Sequence, residues 1–377
     1  MTQQHDSPSG RVESATLKRT ALFQAHVSLG ARLVPFAGWE MPLNYPGGII
    51  SEVKAVRSRA GMFDVSHMAR LRFSGPGAVS FLDTVLSANV ASMRIGRSKY
   101  HVICDEDGGI IDDALVYRIA DEECLLIVNA GNADEVMDWI NPRLEAHGNV
   151  QMFNYTDQVG MIAVQGPEAA AILDKISETL VSAIRAFQIG EVSIAGAYMR
   201  AARTGYTGED GFEVMPPREA MQKIWAAFRD AGIEPCGLGA RDVLRLEAGL
   251  MLHGTDISRD NNPYEAGLER FVHITSPGYV AHDALARLRA QGTHRIMVGF
   301  KMVGRGIPRN GQAISKSGET VGIVTSGTHS PTLDDNIGMG YVDRGLSDEG
   351  TRFEIDVRGR LVEAEVVPLP FYSRKRS

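Results

Sequence analysis

The stretch ARLRFSGPGAVSFLDTVL (69–86) returns in outline, 90 residues later, as VGMIAVQGPEAAAILDKI (159–176). Each copy reads as a short strand, a Gly-Pro break and an amphipathic helix, with Ala78, Leu82 and Val85 forming the apolar stripe of the first helix. Such a unit has one strand face and one helix stripe to cover. Two copies at this distance therefore predict two related α+β halves packed on each other, whereas a solenoid needs more repeats. A small molecule bound between the halves would occupy a concave boundary, the usual place for a ligand.

The remaining chain fits around that plan. Residues 16 to about 30 read as a short helix, and VPFAGWEMPLNYPGGI is broken by Pro35, Gly38, Pro42, Pro46 and Gly47-Gly48, which excludes a long regular element. ISEVKAVRSRAGMFDV resumes helical spacing through Ile50, Val53 and Val56 until Gly61. KYHVIC, IIDDALVYRI and CLLIVN alternate apolar and polar residues and are joined by turn-rich DEDGG and ADEE, which predicts three antiparallel strands. From about residue 294, short strands separated by Gly, Ser and Asp predict a small barrel-like β domain. The expected units are 16–150, 151–290 and 291–377, with the first two able to exchange segments.

The 377 residues are enough for a large core; a chain of this size buries roughly 75% of its extended surface. A net charge of -7 argues against nucleic acid as a partner, and no apolar run is long enough to span a membrane. The first fifteen residues lack the basic and apolar regions of a signal peptide and read as a disordered leader. Cys104, Cys124 and Cys236 form no CxxC pair and, being three, no closed disulfide framework, so a reducing compartment such as the cytoplasm is expected.

Chemistry concentrates in three segments. In GGIIDDALVYR, alternation puts Asp113, Leu115 and Tyr117 on one strand face and Asp112 on the other. Pattern favours Asp112 as a turn cap and leaves Asp113 open between a cap and a ligand group. The predicted hairpins bring Tyr100 or His101 across from Asp113 and return Asn129 beside it. In GYTGEDGFEV, Phe212 and Val214 share a face, Glu213 takes the other and reads as solvated, and Tyr206 reads as a core or turn aromatic. GLGARDVLRLEAGL reads as a helix in which Glu247 interrupts the apolar stripe and must be paired or lie near a polar cavity. Arg241, in the first turn, fits an ordinary surface ion pair, or a planar fork for a substrate carboxylate. Dinucleotide, phosphate-loop, zinc-protease and serine-hydrolase motifs are all missing, no metal site is expected, and His67 in DVSHM reads as a structural or pocket residue.

Those segments, together with FAGWEMPLNYPGGI, GMFDVSHM, VNAGN, QGPEA, GIVTSGTHSPTLDDNIGMGYV and the terminal PFY, make the chain resemble the T proteins of the glycine cleavage system over nearly its whole length. The resemblance implies an α+β, three-domain cloverleaf around a central ligand opening, with a small C-terminal β-barrel-like domain. It implies transfer of a methylene carbon from an aminomethyl-lipoyl group on a lipoylated carrier (H) protein to tetrahydrofolate, releasing ammonia. It places Asp113 near the folate nitrogens as the catalytic group. It also makes Tyr100, Leu115, Tyr117, Asn129, Tyr206, Glu213 and Arg241 pocket positions. Asn262-Pro263, Arg270 and Tyr279-Val280-Ala281 depart from the family pattern; they keep open a folate-dependent demethylase acting on a small methylated amine or sulfonium compound. A non-catalytic iron-sulfur assembly protein is the third reading, although its cysteine-containing segment is replaced here by GYTGEDGFE.

Overall fold

The computed structural model describes residues 16–87, 89–275 and 278–374, so the expected leader lies outside the described residues. Helix α1 (Phe23–Ser28) is shorter than the expected 16–30, because Lys18 instead bridges to Trp39. The proline-broken segment is more regular than its punctuation suggests. Strands β1 (Arg32–Phe36) and β2 (Trp39–Asn44) form a hairpin through Ala37-Gly38, both at positive φ. Pro35 and Pro42 are tolerated because this sheet has only two strands, so each strand is an edge.

Helix α2 (Gly48–Ser58) leads into β3 (Gly61–Asp64), followed by β4 (Ala69–Ser74) and α3 (Ala78–Val85). Then come β5 (Ser98–Cys104), β6 (Ile110–Ala120), β7 (Glu123–Val128), α4 (Ala133–His147) and β8 (Gln151–Asn154). The second copy of the motif is β9 (Ile162–Gln165) and α5 (Ala169–Ile176). It continues through β10 (Ile189–Ile194), β11 (Ala197–Ala202), β12 (Gly211–Met215), α6 (Met221–Asp230), β13 (Glu234–Pro235) and α7 (Leu238–Glu247). Helix α8 (His282–Gln291) precedes the last strands, β14 (Arg295–Met302), β15 (Ala313–Lys316), β16 (Glu319–Ser330), β17 (Asp335–Asp343), β18 (Arg352–Asp356) and β19 (Leu361–Val367).

The first half is a five-stranded sheet, β5-β6-β7-β4-β8, and the second a six-stranded sheet, β10-β11-β12-β9-β3-β13. Thus β3, early in the chain, pairs with β9 of the second half. Strands β14 to β19 close into a six-stranded barrel. An apolar cluster containing Tyr117, Leu125 and Ile127 from one sheet and Phe63, Ala163 and Met215 from the other joins the halves face to face. The barrel is held to α7 by polar pins. Glu247, fully buried, accepts from Arg57, Ser330 and Thr332, while Arg245 pairs with Asp256, which in turn accepts from Thr325 and Ser326. Among the described residues no helix is long and apolar enough to cross a membrane.

Candidate functional site

The three-stranded meander β5-β6-β7 brings Asp113 inward. Directly opposite it in the ladder is Val102; Tyr100 faces Leu115, and His101 faces Ala114. Tyr100 nevertheless reaches Asp113 diagonally, donating its hydroxyl to Oδ2 at 2.9 Å. Asn129, just beyond β7, donates Nδ2–H to Oδ1 at 2.8 Å. Burial holds the Asp113 carboxyl above the usual carboxylate range, with Tyr100, His253 and Asn129 opposing that shift. The Tyr100 ring lies 4.5 Å from that of Phe271, which joins it in an apolar cluster with Met251, Tyr264 and Tyr279.

Asp112 is not a turn cap. The turn is capped by Asp105, whose Oδ1 accepts the Asp107 and Gly109 N–H groups. Asp112 lies fully buried and accepts two N–H groups of Asn129. Sequence alternation separates the two aspartates by face but does not reveal that a residue from the next strand end reaches both.

Leu115 is half-buried opposite Ile127 on the side that meets the second sheet. Tyr117 is fully buried, and its hydroxyl lies 3.1 Å from the Thr204 hydroxyl, which donates to Glu213 Oε2 at 2.5 Å. Glu213 is therefore not solvated: it is buried, and burial raises its carboxyl above the ordinary range while Thr204, Arg241 and Tyr117 pull it down. The strand pattern located its face correctly, but the other face of β12 also abuts protein.

Arg241 does not form the surface ion pair that pattern favours. Among the described residues no carboxylate lies within 4.0 Å of it, and its neighbour Asp242 pairs with Arg245 instead. The Arg241 guanidinium sits over the Tyr206 ring, 4.5 Å from the centroid, and Tyr206 donates its hydroxyl to Met251 O. A fork stacked on an aromatic and lacking a carboxylate keeps its planar donors for a ligand.

Sequence reasoning did not single out Thr204 or His253. His253 Nε2 is buried without a partner, and burial keeps the imidazole below its usual range although Asp113 and Glu135 face it. His67 is buried near Arg241, and burial followed by that cation pushes it down to about 3, so it is neutral. No spacing signal marks His253 or Thr204, since each meets its partner only through tertiary packing.

Among the described residues the ensemble holds three carboxyls of raised proton affinity, Asp112, Asp113 and Glu213, one guanidinium with no carboxylate within 4.0 Å, and several hydroxyl donors. The three cysteines are not activated nucleophiles: Cys104, Cys124 and Cys236 are buried, and burial pushes each thiol up. Among the described residues no cluster of three His, Cys, Asp or Glu side chains could hold a metal ion. Such a site suits a largely neutral heterocycle with exchangeable N–H groups and an anionic extension, held for a reaction run by alignment and electrostatics.

The comparisons with known proteins agree across the whole chain. The family profile of the GCVT N-terminal domain matches residues 22–276, and that of the glycine cleavage T-protein C-terminal barrel domain matches residues 295–373. The aminomethyltransferase of Symbiobacterium thermophilum is 43% identical over 367 residues, covering 95% of this chain and 98% of the relative. The aminomethyltransferase of Bacillus subtilis is 41% identical over 364 residues, covering 95% and 100%. The crystal structure of glycine cleavage system aminomethyltransferase T from Bartonella henselae superposes with a TM-score of 0.90 at 36% identity, over 95% of this chain and 98% of that one. With both profiles in order and the fold shared nearly end to end, the chain belongs to the glycine cleavage T-protein family.

Proposed function

We propose that this protein is an aminomethyltransferase that moves the methylene carbon of an aminomethyl-lipoyl group, carried on a lipoylated partner protein, to tetrahydrofolate, with release of ammonia. The observation that carries the reading is the Asp113 carboxylate, both of whose oxygens are already held by Tyr100 and Asn129, in a chain aligned with aminomethyltransferases over 95% of its length. The residues present fit tetrahydrofolate: Asp113 and Glu213 accept from pterin N–H groups, Tyr100, Leu115, Tyr117, Asn129 and Tyr206 shape the slot, and Arg241 takes the carboxylate tail.

Expelling ammonia from the S–CH2–NH2 arm leaves an electron-poor carbon that one weakly basic folate nitrogen captures. The C–S bond then breaks, releasing the dihydrolipoyl thiol, and the second folate nitrogen closes the methylene bridge, the two folate N–H protons leaving with the ammonia and the thiol. Alignment of the two reactants and a fixed negative charge beside the developing positive one lower that barrier without a protein nucleophile. Asp113 is placed to supply that charge. The proposal extends to the units 16–150, 151–290 and 291–377, with β3 assigned to the second by its sheet, and to a reducing compartment such as the cytoplasm, in keeping with three buried free thiols.

The test mixes the protein with lipoylated carrier bearing the aminomethyl group and with tetrahydrofolate. Methylenetetrahydrofolate and ammonia are expected in equal amounts. No product with a carrier verified against another T protein counts against the assignment, and turnover of a free N-methyl or S-methyl donor without carrier would replace it by a demethylase.

A further inference from the structure

The functional reading gives no part to Asp112, a buried carboxylate that shares Asn129 with Asp113. Asp112 has no solvent exposure and projects on the opposite face of β6 from Asp113, with Ile103 across the ladder. A carboxylate buried this way persists only where donors replace its water. Among the described residues, Asn129 supplies it with two donors. The Asn129 backbone N–H reaches Asp112 Oδ2 at 3.0 Å, and Asn129 Nδ2 reaches Asp112 Oδ1 at 2.7 Å. The same Nδ2 lies 2.8 Å from Asp113 Oδ1 and 3.2 Å from Asp113 O.

A primary amide has two N–H bonds and one carbonyl oxygen. Here the two hydrogens are divided between two carboxylates, and a flipped amide would turn its oxygen towards both. Asp112 thus sets the orientation of the group that holds Asp113. From this geometry we infer that Asp112 is a positioning residue for the transfer reaction: it clamps Asn129, and Asn129 fixes the Asp113 carboxylate at the angle at which it meets the folate nitrogens. The inference rests on the proposed function.

The pair is unequal. Tyr100, Tyr206 and His253 face Asp113 from three other segments, whereas Asp112 is held well above the usual carboxylate range by burial first and by the neighbouring Asp113 charge second.

The experiment compares the unmodified protein, Asp112→Asn, Asn129→Ala and the double variant, measuring kcat, KM for tetrahydrofolate and the thermal midpoint. Asp112→Asn is expected to lower kcat by ~10-fold with KM little changed. The double variant is expected to be no slower than Asn129→Ala alone, because Asp112 acts through that amide. Losses that multiply, an unchanged kcat, or a kcat loss matched by an equal rise in KM would each overturn the inference. Should Asp112→Asn fail to fold, the side-chain amide resonances of Asn129 in the unmodified protein are followed from pH 4 to 9. They are expected to shift with a carboxyl titrating above the ordinary range, and a flat trace overturns the clamp. That titration needs no turnover, so it separates failure of the clamp from failure of the transferase assignment.

Discussion

The two α+β halves share a framework and differ in what they place beside their carboxylates. After β4 the chain turns at Gly75 and after β9 at Gly166, with φ of 114° and 140°. A Cβ at these positions would lie 2.7 Å from Asn149 O and 2.4 Å from Arg59 O, so both copies need glycine for the same reason. Each half then directs a carboxylate inwards, Asp113 on β6 and Glu213 on β12, and burial raises both. Asp113 is held by two neutral donors and has another carboxylate within reach of the same amide. Glu213 receives a relayed hydroxyl and has Arg241 opposite. Among the described residues, a common framework therefore yields one carboxylate held only by neutral donors and one that a nearby, unpaired cation draws down without forming an ion pair, suited to binding.

The largest expected effect separates these roles. Asp113→Asn is expected to lower kcat by ~100-fold, about 2.7 kcal/mol of transition-state stabilisation, with a small change in KM for tetrahydrofolate. Glu213→Gln should instead raise KM and leave kcat within a few-fold. Steady-state kinetics with tetrahydrofolate affinity measured separately decide it, and equal kcat losses for the two variants would erase the distinction.

Asp64 is a control for both. It too is a buried strand carboxylate, and burial again pushes it up, but the His26 ring at 3.0 Å, the Ser66 N–H at 3.0 Å and the Thr20 hydroxyl at 2.6 Å outweigh that and hold it at about 2. A folded value depressed from 3.8 to about 2 means that its stabilising contribution is present above the unfolded value and is lost as pH falls through the folded one. The shift corresponds to about 2 kcal/mol. Denaturant titrations between pH 6 and 2 should show that loss in the unmodified protein and a flatter curve for Asp64→Asn. Asp113 and Glu213, raised rather than lowered, should give the opposite slope: their variants remove a term that weakens the fold as pH rises through the raised values. A parallel loss in all three variants would mean that the carboxylates are alike.

The repeat and the barrel were legible because periodicity and Gly-Pro breaks are local signals, and β4-α3, β9-α5 and the C-terminal strands fall where those signals lie. Asp113, Asn129 and Tyr100 meet through hairpins, whose geometry can be read from turn positions. Pattern alone makes Asp112 a turn cap and Glu213 solvated, because alternation assigns a face but does not say whether that face meets water; here it meets Asn129 in one case and Thr204 in the other. Arg241 needed the same information, since only the packed structure shows that Asp242 pairs with Arg245 and leaves it free. The hairpin at β1-β2 was missed because proline excludes central strands but not edges.

Arg241 sharpens the comparison next, because among the described residues the groups that lower Asp113 include no arginine or lysine. Lysine keeps the charge but loses the flat fork and its stack on Tyr206. Arg241→Lys should weaken tetrahydrofolate binding ~10-fold, about 1.4 kcal/mol, with kcat nearly intact. Calorimetry with the acceptor alone reads this directly, and unchanged affinity would return Arg241 to the ordinary charged surface.

The smallest effect tests whether distance from the carboxylate along a hydrogen-bond chain matters. Tyr100 donates straight to Asp113, whereas the Tyr117 hydroxyl lies 3.1 Å from that of Thr204, which donates to Glu213. The Thr204 hydroxyl has one hydrogen, committed to Glu213, so towards Tyr117 it accepts, and Tyr117→Phe removes a donor once removed from the charge. Tyr100→Phe should therefore cost ~10-fold in kcat, since a direct bond to a charged group is lost, and Tyr117→Phe only ~3-fold in KM. The fully buried Tyr117 ring keeps its apolar contacts as phenylalanine, so the change isolates the hydroxyl. Combining Tyr117→Phe with Glu213→Gln should add nothing to the Glu213 variant, because the relay has no charge left to serve. If the two losses multiply instead, Tyr117 touches the ligand directly, and the second half of the site works by contact, as the first does.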